Sequence, residues 1–275
     1  MKKYLLPLGL FVIFTLVAVT LWLALDNLFY LFNFLYIGAC ISVGMLLYLK
    51  RFRYARQLVL LCVGTYLLVY VGLISQENLQ LEGFWYFLFL GVFEAAVIHY
   101  LVAKIGGPFL FGRGWCGYAC WTAMVLDLLP FKRPQTPANN KLRWIRYALF
   151  APSLLFVTLL FVLKVDNLHE IMFVSFIAGN LLYYAAGIIL AFVFKDNRAF
   201  CKYLCPITVF LKPASYFALL RVKVDPQKCV NCGKCQRVCP MEVDMLDNRR
   251  NRKNATECIL CLDCVINCPC NALKM

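Results

Sequence analysis

The chain has 275 residues, 63% of them hydrophobic and 15% charged, with 28 lysines and arginines against 14 aspartates and glutamates. Soluble domains average about 45–50% apolar and about 25% charged residues, so this composition excludes an ordinary soluble domain and predicts a membrane protein. The net charge of +14 does not point to nucleic acid, because the basic residues lie between apolar runs rather than on one soluble face.

The first apolar run, Tyr4–Leu25, follows Met1-Lys2-Lys3. A signal peptide has a similar basic start but an apolar region of only about 7–15 residues and a small-residue cleavage site. This run is longer and ends in Leu25-Asp26-Asn27, so it is expected to stay as a membrane helix. Further runs cover Leu28–Leu49, Gln57–Ile74, Gly83–Ile105, Ile145–Leu163 and Ile171–Phe194. Each approaches the roughly 20 residues that cross a bilayer core, which predicts a bundle of about six spans.

The connections set orientation. One set carries Lys2, Lys3, Lys50, Arg51, Arg53, Arg56, Lys104, Arg113, Lys132, Arg133, Lys141, Arg143, Arg146, Lys195 and Arg198. The alternate set carries Asp26, Glu77, Glu82, Lys164, Asp166, His169 and Glu170. By the positive-inside rule the N-terminus and the C-terminal segment face the cytoplasm, which predicts a multi-pass protein of the inner (cytoplasmic) membrane.

Glu94 falls in the middle of the fourth run and His99 follows five residues later. Ionisable groups in a bilayer are costly and suggest function. Either residue could accept the proton of a hydroquinone, or serve only in a helix–helix hydrogen bond. With two histidines on opposite sides, a bis-histidine haem is not expected. No glycine-rich dinucleotide fingerprint or P-loop occurs, so no nucleotide cofactor is expected.

Two cysteine pairs sit where the fourth and sixth runs end. Arg113-Gly114-Trp115-Cys116-Gly117-Tyr118-Ala119-Cys120-Trp121 is answered by Arg198-Ala199-Phe200-Cys201-Lys202-Tyr203-Leu204-Cys205-Pro206. Each is followed by a short apolar segment, so the pattern reads as an internal repeat. In a helix, C-x3-C would place both sulfurs on one face, and Gly106-Gly107-Pro108 is expected to break the preceding helix. Three readings stay open for Cys116, Cys120, Cys201 and Cys205. They are a third iron–sulfur or other metal centre, a redox-active dithiol or metal-handling site, and buried structural thiols.

Val222-Lys223-Val224-Asp225 reads as a first short strand of a soluble module. Cys229, Cys232, Cys235 and Cys239, with Pro240, form C-x2-C-x2-C-x3-C-P, and Cys258, Cys261, Cys264 and Cys268, with Pro269, repeat it. Zinc sites use pairs of C-x2-C rather than such triplets. The run is that of two-cluster bacterial ferredoxins, whose fourth cysteine ligates the other cluster. It predicts one 4Fe-4S cluster on Cys229, Cys232, Cys235 and Cys268, and a second on Cys258, Cys261, Cys264 and Cys239. Cys270 stands outside the motif and reads as a free thiol, with some ambiguity between it and Cys268 as the ligand, while Cys40 and Cys62 read as packed thiols. The basic run 248–254 reads as a solvated loop, or as a dock for an acidic partner or anionic lipid.

The two C-x3-C motifs, the many spans and the C-terminal double-cluster module resemble the NapH/NosR/CcoG group of membrane iron–sulfur proteins, most nearly the small NapH type. Where that group has C-x3-C-P twice, the second copy here keeps Pro206 and the first has Trp121. The expected architecture is a membrane α-helical bundle with an internal repeat over residues 1–220, followed by a small α+β ferredoxin-like domain over 221–275. The resemblance implies an electron-transfer subunit between the quinone pool, or a cytoplasmic donor, and a partner oxidoreductase. The alternatives are an assembly factor that reduces a metal ion or disulfide, and a passive anchor of a larger redox complex.

Overall fold

The uninterrupted apolar runs become long helices, since only a backbone that satisfies its own hydrogen bonds can cross a bilayer. The computed structural model describes residues 4–50, 52–93, 95–135 and 137–275. The first three helices are α1 (Leu5–Leu25), α2 (Leu28–Leu49) and α3 (Ala55–Ile74), all long and apolar enough to span a membrane. α1 ends at Asp26, whose φ of 48° is left-handed, and the Asn27 side chain caps α2 by accepting from the Phe29 amide at 2.9 Å. A Cβ on Gly38 would lie 2.5 Å from the Phe14 Cβ, and one on Gly44 would lie 1.9 Å from a Val59 methyl. Glycine there lets α2 press against both neighbours.

The expected fourth span is a hairpin instead. After α3 the chain runs extended and buried along a later helix, with Asn78 Nδ2 donating to Met172 O at 2.8 Å. It then rises as α4 (Leu81–Leu90) and stops at Gly91, where φ is 69°. α5 (Ala96–Phe111) returns beside it. Phe84 and Tyr100 stack with ring centroids 4.7 Å apart, whereas a straight helix would separate them by about 24 Å. The break thus falls at Gly91, not at Gly106-Gly107-Pro108. Pro108 sits in the first turn of the segment Gly107–Phe111, where its missing N–H costs nothing. Glu82, assigned by the sequence to an outer connection, lies at the base of α4, with a buried carboxylate oxygen that has no hydrogen-bond partner among the described residues. Glu94 lies outside the described residues.

The chain continues through α6 (Gly114–Tyr118), α7 (Trp121–Leu126), α8 (Leu142–Val162), α9 (Leu168–Phe194), α10 (Ala199–Tyr203) and α11 (Thr208–Tyr216). Five continuous helices therefore have spanning length among the described residues, with α4 and α5 as a shorter pair. The repeat is evident in the order of elements: a long or hairpin helix, a five-residue helix, a break at the second cysteine, then another short helix.

The C-terminal module closes on itself. β1 (Lys223–Val224) pairs antiparallel with β2 (Leu273–Lys274), Val224 facing Leu273. Between them lie two one-turn helices, α12 (Lys234–Arg237) and α13 (Asp263–Ile266). Its core is continuous with the inner end of the bundle: Val222, Met241, Val243 and Ile259 share one apolar cluster with Cys116, Leu126, Phe200 and Leu211. The basic run 248–254 is solvated at Asn248, Arg249, Asn251 and Lys253, while two of its arginines reach back to backbone carbonyls. Arg252 is buried and donates to the carbonyls of Val222 and Asp247, and Arg250 donates to those of Tyr216 and Ala218.

Candidate metal centres

The two cysteine runs of the C-terminal module fold as near copies. Each first C-x2-C-x2-C loop passes twice through the left-handed region, at Asn231 and Gly233 in one copy and at Leu260 and Leu262 in the other. Each copy does so again three residues past its fourth cysteine, at Glu242 and Asn271. Such turns gather successive amides into concave nests, a common cradle for iron–sulfur sites. The strain of a left-handed leucine, about 1–2 kcal/mol, is of the kind held at functional loops.

Two cavities result. One is walled by Cys239, Cys258, Cys261 and Cys264. The other is walled by Cys229, Cys232, Cys235, Cys268 and also Cys270. The fourth cysteine of each run lines the cavity walled by the other run's first three. Each crossing sulfur accepts one amide at the same offset: Val243 N to Cys239 Sγ at 3.4 Å and Ala272 N to Cys268 Sγ at 3.3 Å. Burial pushes the thiol of Cys258 up to about 11 and raises those of Cys239 and Cys261 as well. Among the described residues, no three His, Cys, Asp or Glu side chains crowd closely enough to hold a single ion. Sulfurs ringing a cavity suit a polynuclear cluster better than a zinc ion with ligands at about 2.3 Å.

The second constellation lies where the bundle meets this module. Cys116 is on α6 and Cys201 on α10, both buried; Cys120 and Cys205 stand in the breaks that follow. The expectation of two sulfurs on one helical face therefore fails. Each short helix ends before the second cysteine, which is extended at Cys120 (φ −80°, ψ 116°). The four sulfurs nonetheless lie within electrostatic reach of one another. Burial first, and then the neighbouring cysteines, push Cys201 up to about 12 and Cys205 up to about 11, with Arg198 and Arg113 opposing.

Charge around these sites is one-sided. Among the described residues, Lys104, Arg113, Arg143, Arg146, Arg198, Lys202 and Arg252 are buried, against only Asp196 and Glu257 of the acids. Buried cations must be compensated. A 4Fe-4S cube on four thiolates is a dianion in its oxidised form, so the residues present fit such a group. Carboxylates settle part of the charge. Glu257 pairs with Arg113, with Arg146 at 2.8 Å and with Lys212 at 3.3 Å. Asp127 takes Arg56 and Arg198, both at 2.7 Å. Sequence reading treats these arginines only as topological markers, although Arg113 and Arg198 stand three residues before the first cysteine of each pair.

The two constellations touch. A Cβ on Gly117 would lie 2.3 Å from the carbonyl oxygen of Ile259, and Tyr118 Oη donates to Leu260 O at 3.0 Å. The loop Cys116–Cys120 is thus seated on the loop Cys258–Cys261. His99 is buried, its ring 5.4 Å from that of Trp115, and its Nε2 has no hydrogen-bond partner among the described residues. Cys40 and Cys62 sit half-buried beside Tyr36.

A family model described as a 4Fe-4S dicluster domain matches residues 221–269. Another, described as a 4Fe-4S binding domain, matches residues 83–133 and 172–225, the two segments that contain the C-x3-C pairs. An uncharacterized protein of Methanocaldococcus jannaschii is 28% identical over 71% of this chain and 77% of its own length. The methylamine utilization ferredoxin-type protein MauN of Paracoccus denitrificans is 30% identical over 47% of this chain and 48% of its own. The ferredoxin-type protein NapH of Haemophilus influenzae is 25% identical over 64% of this chain and 62% of its own. No solved structure matches. These likenesses to ferredoxin-type proteins, with 4Fe-4S models over both cysteine constellations and helices long and apolar enough to span a membrane, support an iron–sulfur electron-transfer protein.

Proposed function

We propose that the protein is an electron-transfer subunit of the cytoplasmic membrane that links a lipid-soluble quinone to a partner oxidoreductase. Cys229, Cys232, Cys235 and Cys268 would hold one 4Fe-4S cluster, Cys258, Cys261, Cys264 and Cys239 a second, and Cys116, Cys120, Cys201 and Cys205 a third. Bound in these places, the clusters supply one-electron chemistry. The basic connections and the ferredoxin-like module share one end of the bundle, which supports a cytoplasmic position for both.

One observation carries this reading. An apolar cavity between α1, α2 and α6 is walled by Phe14 and Met45 on one side and by Trp115, Tyr118 and Leu260 on the other. Trp115 and Tyr118 flank Cys116, and Leu260 lies between Cys258 and Cys261, so an apolar ring seated there would border two of the cysteine sites at once. His99, buried behind Trp115, would take the proton. Burial of Cys116 and Cys201 favours this reading over a dithiol that must meet another protein's thiol.

Iron analysis and EPR on the full-length protein in detergent test it. The wild type is expected to hold about twelve irons, four per cube. Cys116→Ser and Cys205→Ser are expected to hold about eight and to lose reduction by a quinol analogue under anaerobic conditions. A wild type with about eight irons, or equal reduction in the serine variants, removes the reading.

A further inference from the structure

Lys104 is 2% exposed, buried in the bundle as Arg113, Arg146, Arg198 and Lys202 are. It lies in the π-helical turns Tyr100–Gly106 of α5, with its ammonium over the Trp115 ring at 5.2 Å. Arg113 and Arg198, the other buried cations facing the C-x3-C pairs, each have a carboxylate. Lys104 has none among the described residues, and no hydrogen-bond acceptor either. The ring face offsets only part of the cost of burying an ammonium. The acidic groups within electrostatic reach of Lys104 are Cys120, Cys116 and Cys205. The cation is also one-sided: at the same offset before the second pair, the chain has Ile189.

We infer that Lys104 is the charge partner of the anionic centre held by Cys116, Cys120, Cys201 and Cys205, and that it raises that centre's reduction potential. This rests on the third centre proposed above. Adding one electron makes the centre more negative, so a fixed cation beside it favours the reduced form. Low-dielectric surroundings strengthen the effect. The residue positions and tunes; nothing requires it to touch a substrate.

The test uses full-length Lys104→Met and Lys104→Arg in detergent, with iron analysis and an EPR-monitored redox titration. Lys104→Met is expected to make reduction of the third centre about tenfold less favourable, a drop of about 59 mV for a one-electron couple. The two ferredoxin-type signals serve as internal controls and stay in place, and Lys104→Arg keeps the wild-type potential. Loss of about four irons in Lys104→Met but not in Lys104→Arg also supports the assignment, since charge is then what the site requires. An unmoved potential in a Lys104→Met protein that holds about twelve irons overturns the role of Lys104 alone. Loss of the centre in both variants overturns it too. A wild type with about eight irons removes the centre itself, and the inference with it.

Discussion

Arg113 and Arg198 hold the same place in the two halves of the chain, and each binds the other half's first cysteine. Arg198 Nη1 donates to Cys116 O at 3.3 Å, and Arg113 Nη2 donates to Cys201 O at 3.5 Å. The exchange ties the halves across their pseudo-dyad. Its carboxylates are not symmetric. Asp127, eleven residues after Cys116, pairs with Arg198, but the equivalent position after Cys201 is Lys212. Arg113 takes its carboxylate from Glu257 instead, the residue before Cys258. Docking of the ferredoxin-like module thereby completes the charge balance of the membrane site.

Arg198→Ala should leave the Cys116 carbonyl without its buried donor and Asp127 with Arg56 alone. Removing one member of a buried pair costs about 3–5 kcal/mol, so a fall in thermal midpoint and in iron content is expected. Arg198→Lys should recover little, because a point charge cannot span a carboxylate and a carbonyl as a guanidinium fork does. Iron content of the two variants side by side checks this.

Glu257 makes stability depend on acid. Burial alone raises its pKa, but Arg113, Arg146 and Lys212 outweigh this and bring it from 4.5 to about 2. The folded value is depressed, so the stabilisation is fully present above the unfolded value. It is lost as pH falls from about 4.5 towards about 2. By linkage it is on the order of 3 kcal/mol. Detergent-solubilised wild type should lose stability across that window, and Glu257→Gln should be less stable at neutral pH with a flatter acid limb. Thermal midpoints measured from pH 6 down to pH 3 decide it.

Much of this was legible in the residues. The two cysteine runs were legible as iron–sulfur motifs because their spacing is that of a two-cluster ferredoxin, and a 4Fe-4S dicluster model matches them. The spans of α1, α2, α3, α8 and α9 were legible because lipid permits little but a helix. Hydropathy could not distinguish a crossing from the α4–α5 hairpin, since both are apolar and only Gly91's left-handed turn separates them. Glycine pairs with proline looked like the stronger breaker, yet Pro108 sits where a helix start accepts it. Arg250 and Arg252 looked solvated because a charge run carries no sign of the carbonyls it will cap.

Gly117 is the contact on which the two cysteine constellations meet. Its replacement by alanine would press a methyl on the Ile259 carbonyl, which is backbone and cannot rotate away. Overpacking of this kind costs about 1–3 kcal/mol. Gly117→Ala should keep its ferredoxin-type iron but lower the thermal midpoint and slow electron exchange between the module and the membrane site. Freeze-quench EPR after a reductant pulse follows that exchange, and wild-type kinetics would show that the contact is not part of the route.

Cys268 and Cys270 lie with sulfurs 3.7 Å apart on the same cavity, so the choice of ligand turns on symmetry. Cys268 accepts the Ala272 amide as Cys239 accepts that of Val243. That amide and the Cys270 thiol hold Cys268 below the usual thiol range despite the opposing effect of burial. Cys270 has no such counterpart: two residues past Cys239 the other half has Met241, which is buried as packing. Cys268→Ser should therefore lose about four irons, and Cys270→Ser should lose none. The difference should also appear as loss of one ferredoxin-type EPR signal in the first variant only. Retention of full iron by Cys268→Ser would mean that Cys270 can take the fourth position, with the module's last turn shifting to bring it there.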